Sequence, residues 1–335
     1  MQAAIYGFVG GALTPDERAF FRDAHPAGYI LFRRNCIDRG QLRAVTDELR
    51  SIHGREDVPI LIDQEGGRVA RMQPPVWPAF PNAGQFDDLY RKAPMSAIEA
   101  ARVNAEALGL VLKECGINVN CLPLLDVRQP GAHDIIGDRA LGSEPMQVAA
   151  LGRAVIEGMR AAGVVGVVKH MPGHGRSMSD SHVELPVVTA SEEELERDIE
   201  PFWTLKDAPM GMTAHVVYTA WDGAQCGSLS RIVIERIIRG RIGFDGLLMS
   251  DDLGMHALAG GFEERARGVL AAGCDLALHC SGVMEEMVAV AKGARPMEEK
   301  ARERLERAMA SVAGAGEGQD YEELAAKRDA LLTYA

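Results

Sequence analysis

Val164-Val165-Gly166-Val167-Val168-Lys169-His170 is an unbroken apolar run that ends in two ionisable residues. It does not alternate, so both of its faces must be buried, as in a parallel strand covered by helices on both sides. The polar pair at its end has no place in such an interior unless it is paired or functional. The same pattern recurs along the chain. Strands are expected at Ile5–Gly10, Tyr29–Phe32, Ile60–Asp63, Val119–Asp126, Val164–His170, Gly211–Val216, Leu247–Asp251 and Leu276–His279. Amphipathic segments separate them. Gln41–His53 puts Leu42, Val45, Leu49 and Ile52 on one face and stops at Gly54. Ser96-Ala97-Ile98-Glu99 and Ser191-Glu192-Glu193-Glu194 read as capping boxes, the first opening a helix that ends at Gly116. Met146–Ala162 and a segment capped by Ser230 and stopping near Gly240 complete the pattern. Strands alternating with helices predict an α/β protein, a single-domain TIM-type (β/α)8 barrel over residues 1–335 with a helical tail from about Pro296 that frays at its end. A doubly wound sheet would carry a Gly-rich dinucleotide turn after its first strand, and Phe8-Val9-Gly10-Gly11-Ala12 does not match that pattern.

Composition excludes several function classes. Hydrophobic residues are 47% and charged residues 25% of the 335, ordinary for a globular chain that buries a large core. Lys plus Arg is 36 against 48 Asp plus Glu, a net charge of −12 that argues against nucleic acid and against an anionic membrane surface. No apolar run reaches the roughly 18–20 residues of a membrane helix. The opening Met1-Gln2-Ala3-Ala4-Ile5-Tyr6-Gly7-Phe8-Val9 lacks the basic start of a secretory signal, and the six cysteines have no paired short spacing. A reducing cytoplasm is the expected compartment.

The residues that end the strands carry the functional signal. Asp63, Asp126, Lys169 with His170, His215, and Asp251 with Asp252 all fall at or near C-terminal strand ends, which in a barrel converge on one mouth. Any one of them could be a buried ion pair or a cap, but their recurrence points to a shared polar site. The stretch from Met171 to His182 is too polar and Gly-rich for core and reads as a loop over that mouth. Within it, Asp180 and His182 are two apart, a spacing at which a carboxylate on a turn accepts the Nδ1 proton of the ring and leaves Nε2 for substrate. His170, His174, Asp180 and His182 could instead ligate a metal in a barrel amidohydrolase, although such sites usually want an H-x-H pair on the first strand, absent here. After Asp63 the chain turns at Gly66-Gly67; Arg68 and Arg71 are three apart and lie together if a helical turn follows. Arg139 could clamp a ligand or pair with Asp138.

Taken together, Asp63-Gln64-Glu65-Gly66-Gly67-Arg68-Val69, Gly137-Asp138-Arg139, Lys169-His170-Met171-Pro172-Gly173-His174-Gly175, Asp180-Ser181-His182, and Gly243-Phe244 through Ser250-Asp251-Asp252-Leu253 with Met255 resemble glycoside hydrolase family 3. The resemblance is to that family's single-domain bacterial β-N-acetylglucosaminidases of cell-wall recycling, and it spans residues from about 25 to 285. It implies a retaining mechanism in which Asp251 is the nucleophile and His182 the acid/base held by Asp180. It also implies that Asp63, Arg71, Arg139, Lys169 and His170 grip a terminal N-acetylglucosamine. Met171 stands where Phe or Ile is usual. The expected substrate is a small-molecule glycoside, a muropeptide bearing 1,6-anhydro-N-acetylmuramic acid, handled by a monomer without a cofactor. A phosphorylase using the same residues is the alternative, because a neutral His182 would not repel phosphate.

Overall fold

The computed structural model describes residues 1–181, 183–316 and 318–334. Its strands are β1 (Gln2–Tyr6), β2 (Pro26–Leu31), β3 (Ile60–Ile62), β4 (Val119–Asn120), β5 (Val165–Met171), β6 (Val187–Val188), β7 (Met210–Thr213), β8 (Val217–Tyr218), β9 (Asp222–Cys226), β10 (Leu247–Asp252) and β11 (Leu276–His279). Eight of these close into a parallel barrel in the order β1-β11-β10-β7-β5-β4-β3-β2. The remaining three form a small sheet, β6-β8-β9. The helices are α1 (Pro15–Ala24), α2 (Arg39–His53), α3 (Ala83–Lys92), α4 (Pro94–Glu114), α5 (Pro145–Ala161), α6 (Glu192–Thr204), α7 (Phe262–Ala272), α8 (Met284–Gly293), α9 (Glu299–Ala310) and α10 (Tyr321–Leu332), with a π-type segment at Val233–Ile242 between α6 and α7. The TIM-type barrel expected from the strand pattern is the fold that forms.

The barrel strands are continuously apolar because both their faces are buried. Val165, Val167 and Val168 are fully covered, as are Ile60, Leu61 and Ile62. Helix ends follow local chemistry. Asp38 caps α2 by accepting from the Gln41 N–H, and Gly54 closes it at φ 65°, a left-handed position that favours glycine. Ser191 and Glu194 form the expected capping box of α6. None of the six cysteines is in a disulfide. Among the described residues no helix is long and apolar enough to cross a membrane.

Several expectations shift. The first strand is Gln2–Tyr6 rather than Ile5–Gly10; its last ladder bond is from the Gly7 N–H to the His279 carbonyl, and Gly7 itself packs against the Cys280 carbonyl where a Cβ would not fit. The regular fourth strand is only Val119–Asn120; it is interrupted at Pro123, which supplies no donor, and touches β5 again through a single bridge from Leu124 to Lys169. Ser96 does not cap a helix. Pro94 already occupies the first helical turn of α4, so Glu99 lies inside it and pairs with Arg102 instead. The tail does not fray after one helix: α10 returns to pack on α4, with Phe80 edge-on to Tyr321 at 6.4 Å and Arg328 reaching Asn104. Helices α1 and α3 lie in stretches for which no helix was expected; α1 begins with a capping box between Thr14 and Glu17.

Candidate active site

The C-terminal ends of the strands open into a cavity of about 230 Å³ lined by Asp63, Glu65, Arg71, Arg139, Lys169, His170, His174 and Asp251 among others. A larger cavity, about 580 Å³, lies at the opposite end of the barrel, where β5 and β7 begin and α9 crosses. Barrel chemistry sits at the C-terminal face, and the strand-end groups Asp63, Lys169, His170 and Asp251 line the smaller cavity.

One wall is a buried ion lattice. The Lys169 ammonium donates to Asp63 Oδ1 at 2.9 Å and lies 2.8 Å from Glu65 Oε1. Arg139 grips Glu65 with two parallel bonds of 2.8 Å, and Arg71 donates to Asp63 Oδ2 at 3.2 Å. The Lys169 and Glu65 side chains are only 3% and 5% exposed. Burial alone would raise both carboxyl pKa values, but the facing cations outweigh it. Glu65 is held at about 2 by Lys169 and Arg139, and Asp63 is driven lower still by Lys169 and Arg71. Burial likewise opposes the charge on Lys169, and the two carboxylates reverse that and raise its pKa. Asp63, Glu65 and Lys169 are therefore ionised at neutral pH, and with the two guanidinium groups the wall sets three cations against two anions.

Asp126 organises the next wall. Its Oδ1 accepts the backbone N–H of His174 at 2.7 Å and of His170 at 3.2 Å, and its Oδ2 meets His170 Nδ1 at 2.8 Å. That contact fixes the ring so that Nε2 is left for the cavity. Burial, with His170 close by, pushes His174 down to about 4, so its ring is neutral at pH 7. His174 Nδ1 and Arg71 Nε are buried with no hydrogen-bond partner among the described residues. Two such polar atoms at the edge of one cavity call for a polar ligand.

Asp251 stands on the other side, at the end of β10. Its Oδ1 accepts the Asp252 N–H at 2.8 Å, and it lines the cavity. The neighbouring Asp252 does not line it. Asp252 Oδ1 is committed to the backbone N–H groups of Gly254 and Cys280. Of the two adjacent aspartates, only Asp251 is presented to a ligand.

The structure thus brings Asp63, Arg71, Arg139, Lys169, His170 and Asp251 together around one cavity. His182 lies outside the described residues. Asp180 belongs to the loop before it, where its carbonyl accepts from the Val183 and Glu184 N–H groups. Ser181 lines the cavity and is tied to His174 Nε2 at 3.3 Å and, through its carbonyl, to the Ala257 N–H. Among the described residues no cluster of three or more His, Cys, Asp or Glu is placed to hold a metal ion.

Three readings of the sequence are corrected. Arg139 pairs with Glu65, not Asp138, and Asp138 pairs with Arg68. Arg68 and Arg71 do not share a helical turn: Gly66 and Val69 bridge across a tight turn that sends the two arginines to different partners. His215 does not reach the cavity but is fully buried between Ser228 Oγ and the Asp252 carbonyl. Conversely, Glu65 belongs to the site and was given no role from the sequence, while Asp126 was read only as one of the strand-end groups and His174 only as a possible metal ligand. Glu65 had a signal, since it is a charged residue two positions past a strand end in the same turn as Asp63.

Residues 7–312 match the Glycosyl hydrolase family 3 N terminal domain. A "Beta-hexosaminidase" of Bordetella avium is 37% identical over 277 residues, 81% of this chain and 78% of the relative. One from Chromobacterium violaceum is 38% identical over 339 residues, covering 96% of this chain and 89% of the relative. The crystal structure of NagZ from Neisseria gonorrhoeae in complex with N-trifluoroacetyl-D-glucosamine superposes with a TM-score of 0.88 at 31% identity, over 98% of each chain. A cavity of this build, on this barrel, in a chain so matched has one family assignment: the chain belongs to glycosyl hydrolase family 3, among that family's β-hexosaminidases.

Proposed function

We propose that the chain is an exo-acting, retaining β-N-acetylglucosaminidase that removes terminal N-acetylglucosamine from peptidoglycan fragments. The observation that carries this reading is the pairing of the ion lattice on one wall with Asp251 on the other. Charged donors and acceptors fixed in a water-poor wall suit a ring dense in hydroxyls, and they reject analogues lacking those hydroxyls. Lys169, Arg71 and Arg139 donate to sugar oxygens, Asp63 accepts, and His170 is held by Asp126 for one more bond.

In the first step an Asp251 carboxylate oxygen attacks the anomeric carbon, the bond to the leaving oxygen breaks, and His182 as imidazolium gives that oxygen its proton. In the second, water attacks the same carbon, His182 takes the water's proton, and the Asp251 carboxylate departs. Two inversions give net retention. A histidine, with an ordinary pKa of about 6.5, serves both steps near neutral pH, and Asp180 favours its charged form. The similarity to the Neisseria gonorrhoeae NagZ structure in complex with N-trifluoroacetyl-D-glucosamine supports the N-acetylglucosamine assignment. A muropeptide aglycone, a cytoplasmic location and action as a monomer are part of the same reading.

The test is turnover of an aryl β-N-acetylglucosaminide against the matching aryl β-glucoside, in the wild type and in His182→Ala. The reading requires strong preference for the acetamido sugar. It also requires a loss in His182→Ala that is largest for poor leaving groups. Equal rates on both sugars would end it.

A further inference from the structure

The barrel order places β10 and β3 four positions apart in a ring of eight, so they face each other across the mouth. Asp251 is the penultimate residue of β10, and Asp63 and Glu65 follow β3. A pyranose whose anomeric carbon meets Asp251 therefore points its C4 side at the β3 wall. Behind that wall is a second cavity of about 570 Å³, lined by Asn82, Asp87, Asp134, Gly137 and Asp138 among others. Arg68 lines the sugar cavity, while its partner Asp138 lines the second one.

The partition between the two is a tied set of side chains. Arg68 Nε donates to Asp138 Oδ1 at 2.8 Å, and its Nη2 donates to the carbonyls of Asp134 and Ile135 at 2.6 and 2.9 Å. Asn82 holds the other Asp138 oxygen at 2.9 Å. Gly137, with φ 44°, lets the 134–138 turn fold under the arginine. Arg68 is thus fixed by bonds to a neighbouring loop, and the pair it makes is about two-fifths exposed, so its attraction adds little to stability. Its geometric effect is larger: the pair stands between the two cavities, Arg68 in the lining of one and Asp138 in the lining of the other.

We propose that the Arg68–Asp138 pair determines exo-specificity, by closing the pocket at the C4 end of the sugar and shutting it off from a cleft with room for a further residue. This rests on the function proposed above. With the partition in place only a terminal sugar fits. With it removed, an internal sugar can occupy the pocket while the preceding unit passes into the second cavity, where the carboxylates of Asp134 and Asp138 can accept from hydroxyls.

The experiment uses full-length wild type, Arg68→Ala and Asp138→Asn on p-nitrophenyl β-N-acetylglucosaminide and p-nitrophenyl N,N′-diacetylchitobioside, with first products separated by chromatography. Wild type should release the monosaccharide from both, with intact disaccharide only as a small, measurable side product. Arg68→Ala should keep turnover of the monosaccharide glycoside and raise the ratio of disaccharide to monosaccharide released by about tenfold or more, a change on the scale of one lost steric or polar discrimination. Asp138→Asn keeps the shape of the partition while weakening its tie, so a smaller rise in the same direction is expected. A ratio in Arg68→Ala within twofold of wild type overturns the proposal. So does a folded Arg68→Ala that has lost the monosaccharide activity, since Arg68 would then be a sugar ligand. If wild type fails on the monosaccharide glycoside itself, it is the proposed function that falls.

Discussion

Replacing Glu65 by Gln isolates the electrostatic role of the buried lattice. Gln keeps the size and one acceptor but removes the charge that faces both Lys169 and Arg139. A carboxyl held at about 2 in place of 4.5 contributes about 3 kcal/mol at neutral pH, at roughly 1.4 kcal/mol per decade. Removing one member of a buried ionic set typically costs a similar ~3–5 kcal/mol, because the remaining charges are left unpaired in a poorly solvated wall. The folded-state pKa lies below the unfolded one. The contribution is therefore fully present above about 4.5 and is lost as the pH falls through about 2. Urea unfolding of wild type and Glu65→Gln from pH 7 down to pH 3 should show a stability difference of about 3 kcal/mol that narrows to about half by pH 3. A difference that stays constant across that range would refute the argument, since Glu65 would then act through packing rather than charge. No difference at all would mean that Lys169 and Arg139 find other partners or water at no cost.

Asp126→Asn should lower kcat/KM by about tenfold or more with little change in fold, because an amide no longer selects the His170 tautomer; a variant with unchanged kinetics would contradict the placement of His170. Gly175→Ala puts a Cβ 1.9 Å from the Val127 carbonyl oxygen. The loop must shift, at about 1–3 kcal/mol, with lost turnover of the aryl glycoside; a thermal melt and an assay matching wild type would show that the contact relaxes freely. Asp251→Ala should abolish turnover while sugar binding survives, and a labelled glycosyl adduct on any other residue of the wild type would contradict the nucleophile assignment.

The barrel was legible in the chain because burial on both faces leaves a direct mark. A strand such as Ile60–Ile62 has no polar position to alternate, and every barrel strand was found within a few residues of its expected place. Strand lengths were less legible. The fourth ran as an apolar stretch to Asp126, yet the regular strand is only Val119–Asn120, with a single further bridge from Leu124 to Lys169, since a ladder needs a neighbour's backbone in register as well as hydrophobicity. The tail showed its charge but not its docking, because what covers α10 is α4, some two hundred residues earlier.

The site divides along the same line. The sequence by itself brought Asp63, Lys169, His170 and Asp251 to the mouth, since residues at the C-terminal ends of parallel strands converge there, but it did not set apart His215 and Asp252, which the fold turns to other partners. It could not determine partners, which depend on distances between strands far apart in the chain. Only the tertiary structure decided that Arg139 serves Glu65 while Asp138 serves Arg68, that Asp126 is a buried organiser, and that Asp251 rather than Asp252 faces the ligand. A charge in a poorly solvated wall, such as Glu65 or Asp126, must be paired by whatever the fold brings within about 3 Å, and spacing along the chain carries no record of that.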